Sequence, residues 1–385
     1  MLSQETITIV KSTVPVLQEH GHAITKRFYA RLFENNPQLK NLFNQTNQKQ
    51  DRQSMALANA VYAAANYIDQ LEAIIPAIQP ILHKHRSLQI TPEMYDIVGE
   101  NLLAAIKEVL GDAATDEIIN AWAEAYGEIA SVFIALEATL YQEVKENAFE
   151  GFVPFEVTEI IKESNDVKSF VLTPPDGMRL APYQPGQYIS VQAEIPTEEI
   201  LHHRQYSLSK AYDGVSYRFA AKKDGIVSTH LHDNIRVGDV LRISAPAGHF
   251  VLDGSDSPVV LVGGGIGLTP LLSLADQALR LRRKVTVLHA VKDHADRPFA
   301  EQLEDFASRG AEILYYAEQN ADADVVSGYI DAATLERNAT DAEVFICGPE
   351  AMLQYVVNAC LAATTAEHIH YEVFGPSLAV STANA

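Results

Sequence analysis

Residues 258–273, Pro-Val-Val-Leu-Val-Gly-Gly-Gly-Ile-Gly-Leu-Thr-Pro-Leu-Leu-Ser, decide what kind of protein this is. Val259 to Val262 is a largely β-branched, apolar run suited to a strand buried on both faces. Gly263, Gly264, Gly265 and Gly267 then let the backbone turn tightly and approach a ligand, Thr269 can cap a helix, and Pro270 suits its first position. Free N–H groups at a helix start attract an anion, so strand, glycine turn and helix start together predict a pyrophosphate site. The simple dinucleotide fingerprint has a third glycine where this chain has Pro270, so the rest of the sequence must decide the reading.

The chain has 385 residues, more than one ordinary core accommodates, which predicts two or three domains. Hydrophobic content of 47% and charged content of 21% are those of a globular protein. With 29 Lys+Arg against 50 Asp+Glu, the net charge of −21 excludes nucleic acid and anionic membrane surfaces as expected partners. Residues 258–275 carry no charge, yet their glycines and prolines favour strand, turn and helix over a transmembrane segment. The first residues show no basic stretch leading into an apolar core and a small-residue cleavage site, so the expected location is cytoplasmic. The two cysteines, Cys347 and Cys360, are too few for a disulfide framework or for the four thiolates of an iron–sulfur cluster.

Three textures follow one another. Residues 1–146 are alanine-rich with helical period, and Pro15, Pro37, Pro76, Pro80 and Pro92 are read as helix edges. From Asp116 to Val144, the side chains Trp122, Tyr126, Ile129, Phe133, Leu136 and Leu140 recur at spacings of three and four, which predicts one buried stripe. Residues 150–254 show six short runs separated by turn signals (155–161, 168–172, 187–192, 205–209, 217–221 and 240–243), the pattern of a small antiparallel barrel. Residues 257–385 alternate strand and helix (259–262, 271–281, 285–289, 299–308, 312–316, 343–346 and 351–360), which predicts an α/β parallel sheet. The expected architecture is multidomain: all-α, then a six-stranded antiparallel barrel, then a parallel α/β sheet.

In the barrel segment Arg204-Gln205-Tyr206-Ser207 sits on a strand, and Gly225-Ile-Val227-Ser228 opens a helix one strand later. An arginine for phosphate, a tyrosine to lie against a flat ring and a Gly-x-x-Ser helix start suit a flavin dinucleotide. This pairing resembles the flavin signature of the ferredoxin–NADP reductase superfamily. Tyr183-Gln-Pro-Gly-Gln-Tyr188 matches that family's strand leading to the flavin, with Tyr188 as a ring or ribose neighbour, and Ala245-Pro-Ala-Gly-His-Phe250 matches the closing turn of the barrel. Gly265-Ile266-Gly267-Leu268-Thr269-Pro270 and Cys347-Gly348-Pro349 are similar to its nicotinamide motifs, in the same order. Taken alone, Arg204 reads as a surface charge, Tyr188 as a core residue and Cys347 as a small buried hydrophobe.

The helical segment resembles a globin: Asn36-Pro37 with Phe43 six residues later, then Gln53 and Leu57 on one helix, then His85. The resemblance implies that Phe43 presses on a porphyrin, Gln53 reaches a gas and His85 ligates iron. By spacing alone, at most one of His83 and His85 points inward, and Lys84-His85-Arg86 reads equally as a solvated face. A globin joined to such a reductase without an iron–sulfur segment is similar to the flavohaemoglobins of bacteria and yeast. That likeness further implies Tyr29 as a donor to oxygen, Tyr95 and Glu137 as the groups behind His85, and Lys84 near the meeting of haem and flavin. Tyr371-Glu372-Val373-Phe374-Gly375-Pro376 is similar to the segment that folds over the flavin, with Phe374 covering the ring and Glu372 approaching it. Each has a plainer reading, Tyr29 and Tyr95 as packing aromatics and Glu137 as a solvated charge. Leu268 and Val373 stand where several relatives carry glutamine and cysteine.

The family's activity is then the expected one: nitric oxide dioxygenase, in which NAD(P)H reduces FAD, FAD reduces the iron of haem b, and O2 and nitric oxide become nitrate. Two alternatives stay open, a haem-based oxygen sensor or store with its own reducing module, and an NAD(P)H flavin reductase serving a separate acceptor. O2, nitric oxide and NAD(P)H are the expected partners, with no obligatory protein partner. NADH and NADPH are not distinguished, because Ala290-Val-Lys-Asp-His294 offers neither an arginine cluster nor an unambiguous acidic ribose anchor.

Overall fold

A computed structural model describes residues 2–43, 51–321 and 324–375. The chain forms two compact units, one chiefly of Met1–Asn147 with Glu194–His203, the other of Ala148–Ala193 with Arg204–Gly375.

The first unit is helical, with α1 (Gln4–Ser12), α2 (Val14–Asn35), α3 (Arg52–Asn66), α4 (Ile75–Ser87), α5 (Pro92–Leu110) and α6 (Asp116–Asn147) among the described residues. Ser3 Oγ accepts from the Thr6 N–H at 3.0 Å and caps α1. Pro15, Pro76 and Pro92 stand in first turns, where a proline costs no intrahelical bond. Pro80 departs from the edge expected of it and lies inside α4, where its missing N–H gives up one bond to the preceding turn. The core joins Val10, Ile24, Phe28, Leu32, Ala65, Leu102, Ile106 and Trp122, and the Trp122 indole N–H reaches Thr13 Oγ1 at 3.1 Å. The expected stripe on α6 is fully buried at Trp122, but Tyr126, Ile129, Phe133, Leu136 and Leu140 are half-buried. Along that second half the most buried side chain is Glu137, 3% exposed. There α6 packs on α4, which presents an imidazole, so a carboxylate is turned inward.

In the second unit six strands, β1 (Phe152–Lys162), β2 (Val167–Thr173), β3 (Tyr188–Ala193), β4 (His202–Ser207), β5 (Tyr217–Lys222) and β6 (Val240–Ser244), form a sheet of order β4-β3-β6-β1-β2-β5. The edges meet where Leu208 bridges Phe219 and the Ser209 N–H donates to the Arg218 carbonyl at 2.7 Å, which closes the barrel. Phe155, Val157, Phe170, Leu172, Ile189, Val191, Tyr217 and Phe219 fill it, each wholly buried. A short helix, α7 (Ile226–Asn234), follows β5.

The parallel sheet has order β10-β9-β8-β7-β11-β12, from β7 (Val259–Gly264), β8 (Val285–Asp293), β9 (Glu312–Gln319), β10 (Val325–Ser327), β11 (Glu343–Cys347) and β12 (Ile369–Glu372). Alternation along its central strands sends Val259, Leu261 and Val285 to one apolar layer and Val260, Val262 and Leu288 to the other, so both faces are covered. Helices α8 (Leu268–Arg280), α9 (Ala300–Ser308), α10 (Ala332–Ala339) and α11 (Glu350–Cys360) connect the strands. The strands β10 and β12 and the helix α10 have no counterpart in the sequence reading. The strands are three and four residues long, too short for period to register, and are recruited as neighbours of β9 and β11. No helix of the described residues is long and apolar enough to cross a membrane.

Candidate functional site

In the helical unit, Thr25 Oγ1 donates to the Ser54 carbonyl at 2.8 Å and ties α2 to α3. Tyr29, one turn further along α2, is 7% exposed, with its ring 5.6 Å from Phe43 and 4.8 Å from Phe28. Burial pushes its phenol well above the ordinary value, so the hydroxyl stays protonated and able to donate. Gln53 stands in the first turn of α3, and Leu57, one turn on, packs half-buried with Phe43 against the helical core.

On the other side His85, in the last turn of α4, places Nδ1 2.8 Å from Glu137 Oε1 on α6 and 3.1 Å from the Tyr95 hydroxyl on α5. Tyr95 donates to the same carboxylate oxygen at 2.7 Å. A buried carboxylate needs such partners, and the plainer reading of Glu137 as solvated does not hold. Nor does a solvated Lys84-His85-Arg86 face, because Arg86 is only 4% exposed. Lys84 is half-buried beside it. Among the described residues the imidazole hydrogen-bonds only through Nδ1, which leaves Nε2 to ligate a metal. An imidazole oriented by a carboxylate at its far nitrogen, with the other nitrogen left for a metal, is the donor haem iron requires, so the residues fit that group.

Two supports escaped the sequence reading. The Tyr126 hydroxyl donates to the Tyr95 carbonyl at 2.6 Å, and its ring lies where a Cβ on Gly99 would approach to 2.5 Å. Tyr141 donates to the Ile90 carbonyl at 2.7 Å. Both tyrosines hold the segment that carries Tyr95. Their helical spacing was legible in the sequence, but the roles of their hydroxyls and of Gly99 were not.

In the barrel, Tyr188 opens β3, buried against Gly248, while Arg204, Gln205, Tyr206 and Ser207 run along β4. Gln205 Nε2 donates to Ser190 Oγ at 3.0 Å, and the Tyr206 ring packs 4.9 Å from Phe219. Burial lowers the Arg204 guanidinium from its ordinary value, a cost that a bound phosphate would offset. Gly225 has φ +103°, a conformation suited to glycine, and caps α7. Val227 is buried on that helix. Ser228 Oγ accepts from the Asp224 N–H at 2.8 Å and donates to the Gly225 carbonyl at 3.1 Å, so its hydroxyl closes the helix start. A half-buried cation, a flat ring and a glycine-led helix start fit a flavin dinucleotide.

The glycine turn differs in detail from expectation. Gly265, Ile266 and Gly267 form a single 3-10 turn, and the helix begins at Leu268. Thr269 therefore does not cap but donates to the Ile266 carbonyl at 3.0 Å, and Pro270 is the third helical residue, still within the turn whose N–H groups need no partner in the helix. Gly265 has φ +55° with nothing within 4 Å of where a Cβ would stand, so the turn opens to space at the carboxyl end of β7. Gly267 is packed so closely that a Cβ would lie 2.3 Å from the Cys347 carbonyl oxygen, which brings Cys347, Gly348 and Pro349 against the turn. This is a backbone cradle at the carboxyl ends of parallel strands, where dinucleotides bind.

Glu372 ends β12, and its Oε2 is shut off from solvent with no hydrogen-bond partner among the described residues. Burial pushes this carboxyl up to about 8, and its charge in turn helps to raise the buried Cys347 thiol. Such an orphaned atom suits a bound ring system. Val373 is half-buried, Phe374 is 48% exposed, free to cover a flat ligand, and Gly375 is exposed. Pro376 lies outside the described residues. Because the folded carboxyl is raised from 4.5 to about 8, its stabilising contribution is complete below the lower value and lost as pH rises through the upper one. Stability should thus fall by up to about 1.4 kcal/mol per pH unit across that window. Glu372→Gln should flatten the slope in thermal melts, and identical pH profiles for the two proteins would refute it.

Three family models match in chain order: globin over residues 26–133, oxidoreductase FAD-binding domain over 154–252 and oxidoreductase NAD-binding domain over 261–358. A flavohemoprotein of Bacillus cereus is 47% identical over 401 aligned positions, covering 98% of this chain and 99% of its own. A solved flavohemoglobin of Malassezia yamatoensis, with bound FAD and heme, superposes with a TM-score of 0.88 at 32% identity over 97% of this chain and all of its own. The FAD/NAD-binding domain of a Vibrio cholerae nitric oxide dioxygenase matches with a TM-score of 0.56 at 36% identity, covering 58% of this chain and 99% of its own.

Proposed function

The chain belongs to the flavohemoprotein family, and from that membership we propose that it is a nitric oxide dioxygenase using NAD(P)H, FAD and haem b. When bound, these groups take the two electrons of the nicotinamide and deliver them singly to iron, where O2 and nitric oxide are converted to nitrate. The observation that carries this reading is the contact of His85 Nδ1 with Glu137 at 2.8 Å, shared by Tyr95. It fixes the ring orientation and would make the imidazole a stronger donor to iron, which favours oxygen activation over storage.

The other residues divide the work. The Tyr29 hydroxyl and Gln53 would donate hydrogen bonds to a bound gas, while Phe43 and Leu57 would help hold the porphyrin and keep water out. Tyr188, Arg204, Gln205, Tyr206, Ser207, Gly225, Val227 and Ser228 seat the flavin. Gly265 to Pro270 and Cys347 to Pro349 seat the nicotinamide nucleotide. Glu372, protonated below about 8, would offer a proton to the flavin, and Val373, Phe374 and Gly375 would shield it; Pro376 is assigned to the same segment by the resemblance alone. Lys84 lies next to the iron ligand in sequence and is assigned to electron entry. Working boundaries are 1–146, 150–254 and 257–385, a division supported by the three matched regions falling one inside each. Action on small molecules, rather than on nucleic acid or anionic membrane surfaces, accords with the net charge of −21, and the proposed location is the cytoplasm, with no obligatory protein partner.

The test is an absorption spectrum of the purified protein before and after anaerobic NADH, followed by an aerobic nitric oxide pulse. Flavin and haem bands should both respond, and nitric oxide should disappear catalytically with nitrate as product. Flavin bleaching without a haem band would leave only a reductase.

A further inference from the structure

The carboxyl end of the parallel sheet holds an arginine with an unmet need. Arg297 follows the turn after β8 and places its Cζ 5.2 Å over the Tyr315 ring of β9. Tyr315 lies 6.4 Å, ring to ring, from His289 of β8, whose Nε2 approaches the Gly265 carbonyl at 3.4 Å. The series from the glycine turn to Arg297 is therefore continuous along the edge of the crevice. Its guanidinium donates through Nη1 to the His294 carbonyl at 3.1 Å, and its charge beside Tyr315 opposes the rise that burial gives that phenol. Among the described residues Nε is buried without a hydrogen-bond partner and no carboxylate pairs with the group. His289 Nδ1, in the same crevice, is also buried without a partner among the described residues. Burial holds that ring down to about 4, so it is neutral and brings no competing charge.

A half-buried guanidinium without an anion is costly, and a phosphate is the group its fork best satisfies. Backbone geometry keeps it in place. Pro298 follows and restricts Arg297 to the extended form it adopts, φ −68° and ψ 132°. Phe299 then takes a left-handed φ of 64°, a strained choice for a phenylalanine that is offset by its burial at 2% exposure. The acidic residue at the end of β8 is committed elsewhere. Asp293 Oδ1 accepts from the Ala295 N–H at 2.9 Å and from Asn320 Nδ2 at 2.8 Å. Where an NADH-selective sheet presents an acid to the ribose diol, this one presents a cation.

We propose that Arg297, steadied by Tyr315, is the anchor for the 2′-phosphate of NADPH and makes this chain prefer the phosphorylated nucleotide. The proposal rests on the use of NAD(P)H argued above and names its substrate. The 2′-phosphate is not consumed, so its whole effect is on binding and on the rate of productive encounter.

Calorimetric titration of the full-length holoprotein with 2′,5′-ADP and with 5′-AMP isolates that phosphate from the nicotinamide chemistry. The bisphosphate should bind roughly 10- to 100-fold more tightly, the range for a charge-assisted contact. Arg297→Ala should bring it to the affinity of 5′-AMP. Arg297→Gln, closer in length, serves the same end if the alanine variant folds poorly. Anaerobic stopped-flow should show NADPH bleaching the flavin at lower concentrations than NADH. Equal affinities for the two probes, or a preference that survives both substitutions, would overturn the assignment of Arg297. If NADH bleaches the flavin while the 2′-phosphate confers nothing, this proposal alone fails. If neither nucleotide binds and neither bleaches the flavin, the reductase reading fails with it.

Discussion

His85→Gly is expected to give a protein that keeps its FAD and its reduction by nicotinamide but loses its haem. Three features converge on this ring: Nδ1 is occupied by Glu137 and Tyr95, Nε2 is left for a metal, and Glu137 is buried with His85 and Tyr95 as its partners. Weakening the group behind a metal-bound histidine costs roughly 10–100-fold in affinity, so removing the histidine itself should cost at least about 100-fold. Nitric oxide consumption should fall in proportion to the haem lost. Imidazole added to the medium should restore haem, since the glycine leaves room for it beside the same carboxylate. His83→Gly is the control, because only two positions separate it from His85 and it lies on another face of α4. A full complement of haem in His85→Gly, lost instead in His83→Gly, would move the ligand by those two positions.

Tyr29→Phe should leave haem and FAD contents unchanged and speed oxygen dissociation by about 10- to 100-fold, which corresponds to a lost hydrogen bond to a charged acceptor of 1.5–3 kcal/mol. The contacts of this side chain are aromatic, with Phe28, Phe33 and Phe43. Its hydroxyl makes no hydrogen bond to a described residue, so deleting it unpairs nothing in the protein and stability should move by less than about 1 kcal/mol. Flash photolysis of the ferrous protein under oxygen reads the dissociation rate directly. An unchanged rate would reduce Tyr29 to the packing aromatic that its burial also allows.

Much of the architecture was legible because it depends on pattern. The β-branched run before Gly263 could only be a buried strand, and the strand-and-helix alternation from Val259 to Cys360 had few solutions other than a parallel sheet. Identities that carry their own geometry were legible too: glycine at Gly225 and Gly265, where φ is positive, and the single histidine that could face inward among His83 and His85. What failed were inferences about a residue's exact place in a turn. Thr269 and Pro270 were assigned to a cap and a first position, but a 3-10 turn ahead of them moved the helix start to Leu268. That shift is set by the close approach of Gly267 to Cys347, a contact 80 residues away in sequence.

The same division holds for the chemistry. Residue types and spacing determined that the chain has a helical half, a flavin-like barrel and a nucleotide-like sheet, because periodicity and turn chemistry are local properties. The resemblance named Glu137 as a group behind His85, but only the tertiary structure supplied the physical cause, since burial and a 2.8 Å contact across 52 positions cannot be seen in a window of sequence. Only the tertiary structure, likewise, left Glu372 Oε2 shut off from solvent and Arg297 without a carboxylate among the described residues. Local composition sets what a side chain can do, but desolvation and distant neighbours decide which of those things it does.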